Sequence, residues 1–536
     1  GLHAVVWYAR VFDPVELGDS GDRLILRFGA VDRYATVWVN GSVVAQHEGG
    51  YTPFSADITQ EVAEGPNVLV VRVSDPVAEL DQPRGKQYWM EHADDVFYQG
   101  ATGIWQTVWL EPVARAAIED LLIVPMLDDA SVEITASVTA AAIGKQLVVR
   151  IAFADHLIVH DSMLITGVEV RRRWDLTEGA HYADATIIDH RGVATWSPDH
   201  PRLHDVHIEV VDDGQMIDAV DSYFGLRKIE ARGGQVMLNN RPLYQRLVLD
   251  QGYFPEGGYT APNDEALRRD IELAKEMGFN GARKHQKAED PRWLYWADRL
   301  GFVVWAEMPS GFRYSIGYVN RVTTQWQEII ARDRNHPCII VWTPVNESWG
   351  VPALRGAPDQ RQVSFLKAMY HLTKSLDPTR LVVSNDGWEH AETDLCTIHH
   401  YGDEAKLRAT FTDRQTAVRA RPLHRAVYVP GCEHGGEPII VSEFGGVALQ
   451  AAANESDDSV PTWGFHTVLD GPALLERYRG FVEAATDSGV VVGFCWTQLT
   501  DIQQEANGLL TKDRTPKVDV AAIREVNEQI RPRRLT

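Results

Sequence analysis

Two glutamates end two runs of the same grammar. In Cys338-Ile339-Ile340-Val341-Trp342-Thr343-Pro344-Val345-Asn346-Glu347-Ser348-Trp349-Gly350, β-branched and aromatic residues lead into Asn-Glu and break at glycine. In Pro438-Ile439-Ile440-Val441-Ser442-Glu443-Phe444-Gly445-Gly446, an apolar run again meets a glutamate and then two glycines. Such runs read as buried strands. A carboxylate at the end of a buried strand is badly placed for packing, because its charge loses water without compensation. It is well placed for chemistry if both strands belong to one parallel barrel, whose active sites collect at the carboxyl ends of the strands. Glu347 and Glu443 stand 96 residues apart, and the pattern points to a facing proton donor and nucleophile. The bland alternative is a pair of buried, ion-paired structural glutamates.

Positioning them takes a scaffold, and the rest of the chain is patterned as one. Residues 1–113 alternate with period two, and Val37 to Val44 forms a hairpin about Asn40-Gly41, a two-residue turn sequence. This reads as an all-β sandwich. Residues 114–223 repeat the pattern and read as a second, immunoglobulin-like sandwich. Over 224–536 strands and helices alternate. Strands are expected at 243–249, 279–283, 302–306, 338–343, 380–384, 395–398, 438–442 and 491–495. The first helix is capped by Asn263 and stopped at Gly278, and the second runs from Asp290-Pro291 to Gly301. Further helical patterns cover 318–335, 361–376, 471–488 and 517–531, with weak ones after strands five and six. Eight strands with intervening helices make a (β/α)8 barrel.

At 536 residues the chain needs several cores. Its hydrophobic (44%) and charged (24%) fractions are those of an ordinary globular protein. No apolar run approaches a bilayer-spanning length, so no membrane partner is expected. A formal net charge of −23 argues against nucleic acid, whose phosphates demand basic patches. Sixteen tryptophans fit sugar stacking, but core packing accounts for most. The four cysteines form neither a disulfide framework nor a metal spacing, no other cluster has ligand spacing, and no metal and no cofactor is expected. The chain opens at Gly1 straight into a strand pattern and looks trimmed. Localisation stays open with the cytoplasm favoured, and a homo-oligomer is left open.

The order of the three units resembles family 2 of the glycoside hydrolases, the β-galactosidase, β-glucuronidase and β-mannosidase group. The matching residues run along most of the chain. Trp38-Val39-Asn40-Gly41 and Gly103-Ile104-Trp105-Gln106-Thr107-Val108-Trp109-Leu110 lie in the first sandwich, and Phe224-Gly225-Leu226-Arg227 opens the barrel. Asn335-His336-Pro337 introduces Asn346-Glu347-Ser348, Ser442-Glu443-Phe444-Gly445 follows, and Trp496, Gln498-Leu499 and Asn507-Gly508-Leu509 close the barrel. The resemblance implies a retaining exo-acting β-glycosidase acting on a carbohydrate, with Glu443 as nucleophile and Glu347 as acid/base. In such an enzyme the two carboxyl groups stand about 5–5.5 Å apart.

Around this pair, Arg283 is expected to hold Glu443 ionised and Asn346 to donate to the substrate's 2-hydroxyl. Trp496 is expected to floor the sugar subsite. Tyr401, with His399 and His400, ends strand six and could orient the nucleophile, one histidine of the pair being structural. Asp250, His285, Glu307, Asp386 and Trp388 sit at strand ends and are candidate sugar contacts. Three loops depart from the galactosidase pattern. Val248-Leu249-Asp250-Gln251 replaces Asn-Arg-His-Glu, Arg283-Lys284-His285-Gln286-Lys287 replaces Arg-x-Ser-His-Tyr, and Glu307 lacks the histidine of the magnesium site. A β-galactosidase is the first expectation. An α-L-arabinopyranosidase, β-glucuronidase or β-mannosidase are alternatives, and a non-catalytic carbohydrate-binding protein is the reading from another class.

Overall fold

The computed structural model describes residues 4–13, 15, 17, 22–154, 156–177, 193–450 and 462–530. The first unit packs the sheet of Val5–Phe12, Asn67–Ser74, Tyr34–Val39 and Ser42–Glu48 against the sheet of Phe54–Asp57, Arg23–Phe28 and Val108–Val113, all antiparallel. Leu24, Leu26, Phe28, Val37, Val39, Val71 and Val73 fill the space between them. Asn40 and Gly41 both take positive φ, 49° and 88°, and Val39 pairs with Ser42 across them. That is the two-residue hairpin turn that Asn-Gly specifies. Among the described residues the second unit is a seven-strand sandwich. Ile118–Met126, Ser131–Val138 and Glu169–Asp175 face His156–Leu164, Gln146–Phe153, His204–Asp212 and Gln215–Phe224.

The third unit is a (β/α)8 barrel. Its strands are β1 (Gln245–Asp250), β2 (Gly281–Lys284), β3 (Val303–Glu307), β4 (Ile339–Thr343), β5 (Leu381–Val382), β6 (Cys396–His400), β7 (Ile439–Gly445) and β8 (Val491–Thr497). The ladder runs β5-β4-β3-β2-β1-β8-β7-β6, parallel throughout. Strands covered on both faces read as continuous apolar runs, and every residue of β4 and β7 is buried. The outer helices begin with α1 (Asp264–Glu276), α2 (Pro291–Leu300), α3 (Ile316–Asp333) and α4 (Gln360–Leu376). The expected caps are present. Asn263 accepts a hydrogen bond from the Ala266 N–H, and Asp290 accepts one from Arg292 with Pro291 at the first turn.

The weak patterns after strands five and six have a structural cause. No helix follows β5, whose strand is two residues long. Between β6 and β7 the α-helices are the short α5 (Glu404–Thr410) and α6 (Arg414–Arg419), followed by a 3-10 turn at Pro422–His424. Among the described residues no ladder joins β5 to β6. Two full helices, α7 (Gly471–Thr486) and α8 (Val520–Gln529), complete the wall. The expected end of the last helix at 531 lies outside the described residues.

The second sandwich is bolted to the amino-terminal side of β4. Asn335 accepts from the Ile123 N–H and donates to the Leu121 carbonyl. Arg227 donates to the carbonyls of Pro337 and Ile339, at 2.7 Å each. Buried Asp298 of α2 accepts from the Tyr223 hydroxyl, the His336 ring and the Cys338 N–H at 2.6–2.8 Å. Breaking a buried hydrogen-bonded charge cluster typically costs about 3–5 kcal/mol. Asp298→Ala should therefore lower the urea midpoint of unfolding markedly, and Asp298→Asn, which keeps the shape and an acceptor, by less.

Candidate active site

Arg283 is the centre of the barrel's carboxyl end. It lies one residue before the end of β2, with a side chain that has no solvent exposure. Its guanidinium donates to Glu307 of β3 (2.9 Å), to the Ser442 carbonyl (2.6 Å), to Glu443 of β7 (3.0 Å) and to Asn346 after β4 (3.1 Å). It also lies 2.6 Å from Asp386 after β5. A planar fork of five donors suits this convergence as no lysine could. Glu443 is completed by Tyr401, whose hydroxyl donates to it at 2.7 Å and meets Thr497 at 3.0 Å.

Glu347 faces Glu443 across His399. The His399 Nδ1 is 2.8 Å from Glu347 and 3.3 Å from Glu443, and its Nε2 is 3.3 Å from Asp386. One oxygen of each catalytic-candidate carboxylate and a ring nitrogen of His399 lie within 4.8 Å of one another. Burial alone would depress the imidazole pKa, but the charges of Glu443 and Asp386 outweigh it and push it up to about 10. Asp386 is held far below the usual carboxylate range against its burial, chiefly by Arg283 and His399. His285 receives the opposite treatment. Burial and then the charge of Lys86 push it well below its ordinary value, so it is neutral where it meets Glu307 at 2.8 Å. Glu307 is raised by burial, and its oxygens are taken up by Arg283 and His285. Trp388 lies edge-on to His399 at 5.4 Å.

The turn carrying Glu347 is strained. Glu347 and Ser348 take φ of 52° and 60°, left-handed values that cost side-chain-bearing residues on the order of 1–2 kcal/mol each. The loop after β5 holds them there. The Asp386 carbonyl accepts from the Glu347 N–H, Asn385 accepts from the Ser348 N–H, and the Ser348 hydroxyl donates to Glu389, itself anchored by Arg425. Asn346 keeps its Nδ2 buried and without a partner, a donor aimed at nothing the described residues supply.

Three expected contacts lie elsewhere. Asp250 is ion-paired at 2.8 Å with Lys284, which also holds Glu289 and lies over Trp293 of α2. It faces the helix layer, one residue out of phase with Arg283. His400 points outward to Thr410 and Phe411 and is the structural histidine of its pair. Trp496, expected to floor the subsite, is wholly buried against Tyr478 and Phe481 of α7 and against Phe444, with centroids at 4.6, 6.1 and 5.3 Å. Alternation along a strand sets its neighbours on the other face. Cys495 senses the charges of Arg283 and Glu443, and Thr497 meets Tyr401. A Cβ on Gly445 would come within 2.3 Å of the Trp496 ring, and Gly445 has φ of 88°, which explains the glycine after Glu443-Phe444.

Other site residues escaped the sequence. The segment 75–102 of the first sandwich lies across the barrel mouth. Its Tyr98 hydroxyl donates to Glu505 and accepts from Gln251 at 2.8 Å. Gln504 donates to the carbonyls of Asp95 and Phe97. Lys86 is buried and sits over the Trp349 ring at 5.0 Å. Nothing local marks these residues; only the packing of one unit on another brings them in.

Two outcomes follow. Trp496→Ala should cost about 3–5 kcal/mol of stability, the usual loss for a buried aromatic, seen as a large fall in urea midpoint that Thr497→Val does not share. The second concerns pH. Free imidazole titrates near 6.5, so a folded value of about 10 means the native state holds that proton more tightly. The stabilisation is complete below about pH 6.5 and disappears as the pH climbs toward 10. The gap in melting temperature between the wild type and His399→Gln should narrow across that window.

Comparison with known proteins agrees with this architecture. Three family models match in succession: "Glycosyl hydrolases family 2, sugar binding domain" over residues 2–111, "Glycosyl hydrolases family 2" over 116–227 and "Glycosyl hydrolases family 2, TIM barrel domain" over 229–532. A β-galactosidase of Thermoanaerobacter pseudethanolicus is 30% identical over 358 residues, covering 64% of this chain and 45% of that protein. A β-glucuronidase of Streptococcus agalactiae is 25% identical, covering 95% and 86%. The chain spans about half the length of several curated relatives, including 46% of a β-galactosidase of Photobacterium profundum. A solved β-D-glucuronidase of Dictyoglomus thermophilum superposes with a TM-score of 0.77 at 20% identity, covering 99% of this chain and 90% of that one. With a barrel model matched over more than half its length and both sandwiches matched before it, the chain belongs to glycoside hydrolase family 2.

Proposed function

We propose that the chain is a retaining, exo-acting β-glycosidase, with Glu443 as nucleophile and Glu347 as acid/base. The observation that carries this is the close approach of the two carboxylates about His399, within 4.8 Å. That spacing suits direct attack by one carboxylate, where an inverting pair stands about 6.5–9.5 Å apart to admit a water. The segment 75–102 across the mouth supports a pocket closed at one end, hence removal of a terminal sugar.

In the first step an oxygen of Glu443 bonds to the anomeric carbon as the bond to the leaving oxygen breaks. Glu347 gives its proton to that oxygen. Arg283 and Tyr401, both hydrogen-bonded to Glu443, keep it aimed until then. The free Nδ2 of Asn346 is set to meet the sugar's 2-hydroxyl, a contact that strengthens in the transition state. In the second step Glu347 takes a proton from water, the water oxygen bonds to the anomeric carbon, and Glu443 leaves as carboxylate. Negative charge thus passes from Glu443 to Glu347 and back. The His399 cation touches both, so charge is balanced in either state. A protein that only binds sugar has no use for such an arrangement. The preferred sugar is galactose-configured, with α-L-arabinopyranose sharing its ring stereochemistry. The relatives include β-galactosidases at 30% and 26% identity.

Glu443→Gln should be inactive on every β-glycoside. Glu347→Gln should lose about 10²–10⁴-fold on substrates that need protonation, yet release a burst of nitrophenol from a nitrophenyl β-galactoside. Azide should then accelerate turnover and give a β-glycosyl azide. An α-azide from the Glu443 variant instead would reverse the two roles. A panel of nitrophenyl glycosides differing only in the sugar tests the galacto preference.

A further inference from the structure

Beside Glu347 the cleft changes character from charged to aromatic. Trp349 follows the acid by two residues. The chain doubles back there, with the Trp349 N–H donating to the Asn346 carbonyl and the Val351 N–H to that of Ser348. Gly350, at φ of 80°, packs where a Cβ would strike Tyr318. Trp349 is thereby held at the rim, stacked on Phe97 at 5.5 Å and tilted against Phe312 at 5.2 Å. Trp89 meets Phe97 and Phe312 at 5.1 and 5.0 Å, and Tyr88 stacks on Phe97 at 5.4 Å. Phe97, Trp89 and Tyr88 come from the first sandwich; Trp349 and Phe312 come from the barrel. All five keep part of their surface open to solvent. Five contiguous half-open rings at the mouth of a polar pocket mark a recognition surface.

Resting on the mechanism above, we infer that this wall is the leaving-group subsite, and that it selects β-glycosides whose leaving group is a planar aromatic alcohol or phenol. Glu347 must reach the leaving oxygen, so the leaving group passes over the residues beside Glu347. Those residues offer flat faces, and aromatic pairs gain about 0.5–1.5 kcal/mol beyond area burial. A second sugar could lay one C–H face on the rings, but its ring-edge hydroxyls would meet few partners in a wall of this kind. The polar groups of the wall are the Tyr88 hydroxyl, the indole N–H groups of Trp89 and Trp349, and Lys86. The Lys86 ammonium lies over Trp349, its charge acts on His285 and Glu505, and among the described residues it forms no ion pair. It stands at the junction of sugar pocket and ring wall, placed to meet a phenolic oxygen or an acidic substituent.

The test compares substrates of one sugar with three leaving groups: fluoride, 2-naphthol and a second sugar. Phe97→Ala and Phe97→Leu are measured together, the leucine keeping apolar volume without a ring. Both should lower kcat/KM for the naphthyl glycoside about tenfold, leave the glycosyl fluoride within twofold, and change the disaccharide less than the naphthyl substrate. Naphthol should also be a better acceptor of the glycosyl group for the wild type than for either variant. Equal losses on fluoride and naphthyl substrates would make the ring merely structural and overturn the inference. A larger loss on the disaccharide would overturn it in favour of a sugar subsite. A wild type inactive on the glycosyl fluoride would instead remove the proposed activity itself.

Discussion

A single buried guanidinium constrains this barrel. Arg283 stands among Glu307, Asp386 and Glu443, all buried from bulk solvent. One positive charge cannot balance three buried carboxylates, where desolvation costs several kcal/mol per ion. The surroundings adjust accordingly. Asp386 stays ionised, Glu307 drifts toward its neutral form, His399 is held charged and His285 neutral. The proton inventory of the site is thus set before any ligand arrives. The strained turn at Glu347 belongs to the same construction, since Asp386 both meets Arg283 and receives the Glu347 N–H.

Much of this was legible in the sequence where the cause is local. Asn263 and Asp290 announce helix starts because a cap is made within three residues of itself. The β4 and β7 runs announce buried strands ending in glutamate. Legibility failed where facing had to be counted. Asp250 and His400 end their strands and Trp496 stands one residue before the end of its own, yet all three point outward. Position along a strand sets a residue's height in the barrel, while its face alternates from one residue to the next. A residue at the right height can therefore sit on the wrong face. Lys86, Phe97 and Tyr98 failed for a different reason, because nothing in an all-β sequence says which other unit its loop will cover.

Some sequence landmarks acquire a meaning that catalysis does not supply. Asn335-His336-Pro337 and Phe224-Gly225-Leu226-Arg227 lie far from the sugar pocket. Asn335 fastens the second sandwich, and Arg227 fastens the entering chain to β4. Gly225 leaves no room for a Cβ between Trp196 and Pro337. These residues fix the strand that carries Asn346 and Glu347, so their constraint reaches the chemistry through rigid backbone.

The contact between Tyr98 and Glu505 joins positions 407 residues apart in the chain. One wall of the cleft is therefore made about 400 residues of synthesis before the opposite one. Contacts of such sequence separation are the last to be rewarded during folding, and units of a long chain fold in the order they emerge. The sandwich therefore waits, with its ring-bearing loop exposed, for a barrel that does not yet exist. The moment the last strands close is also the moment the cleft acquires its far side.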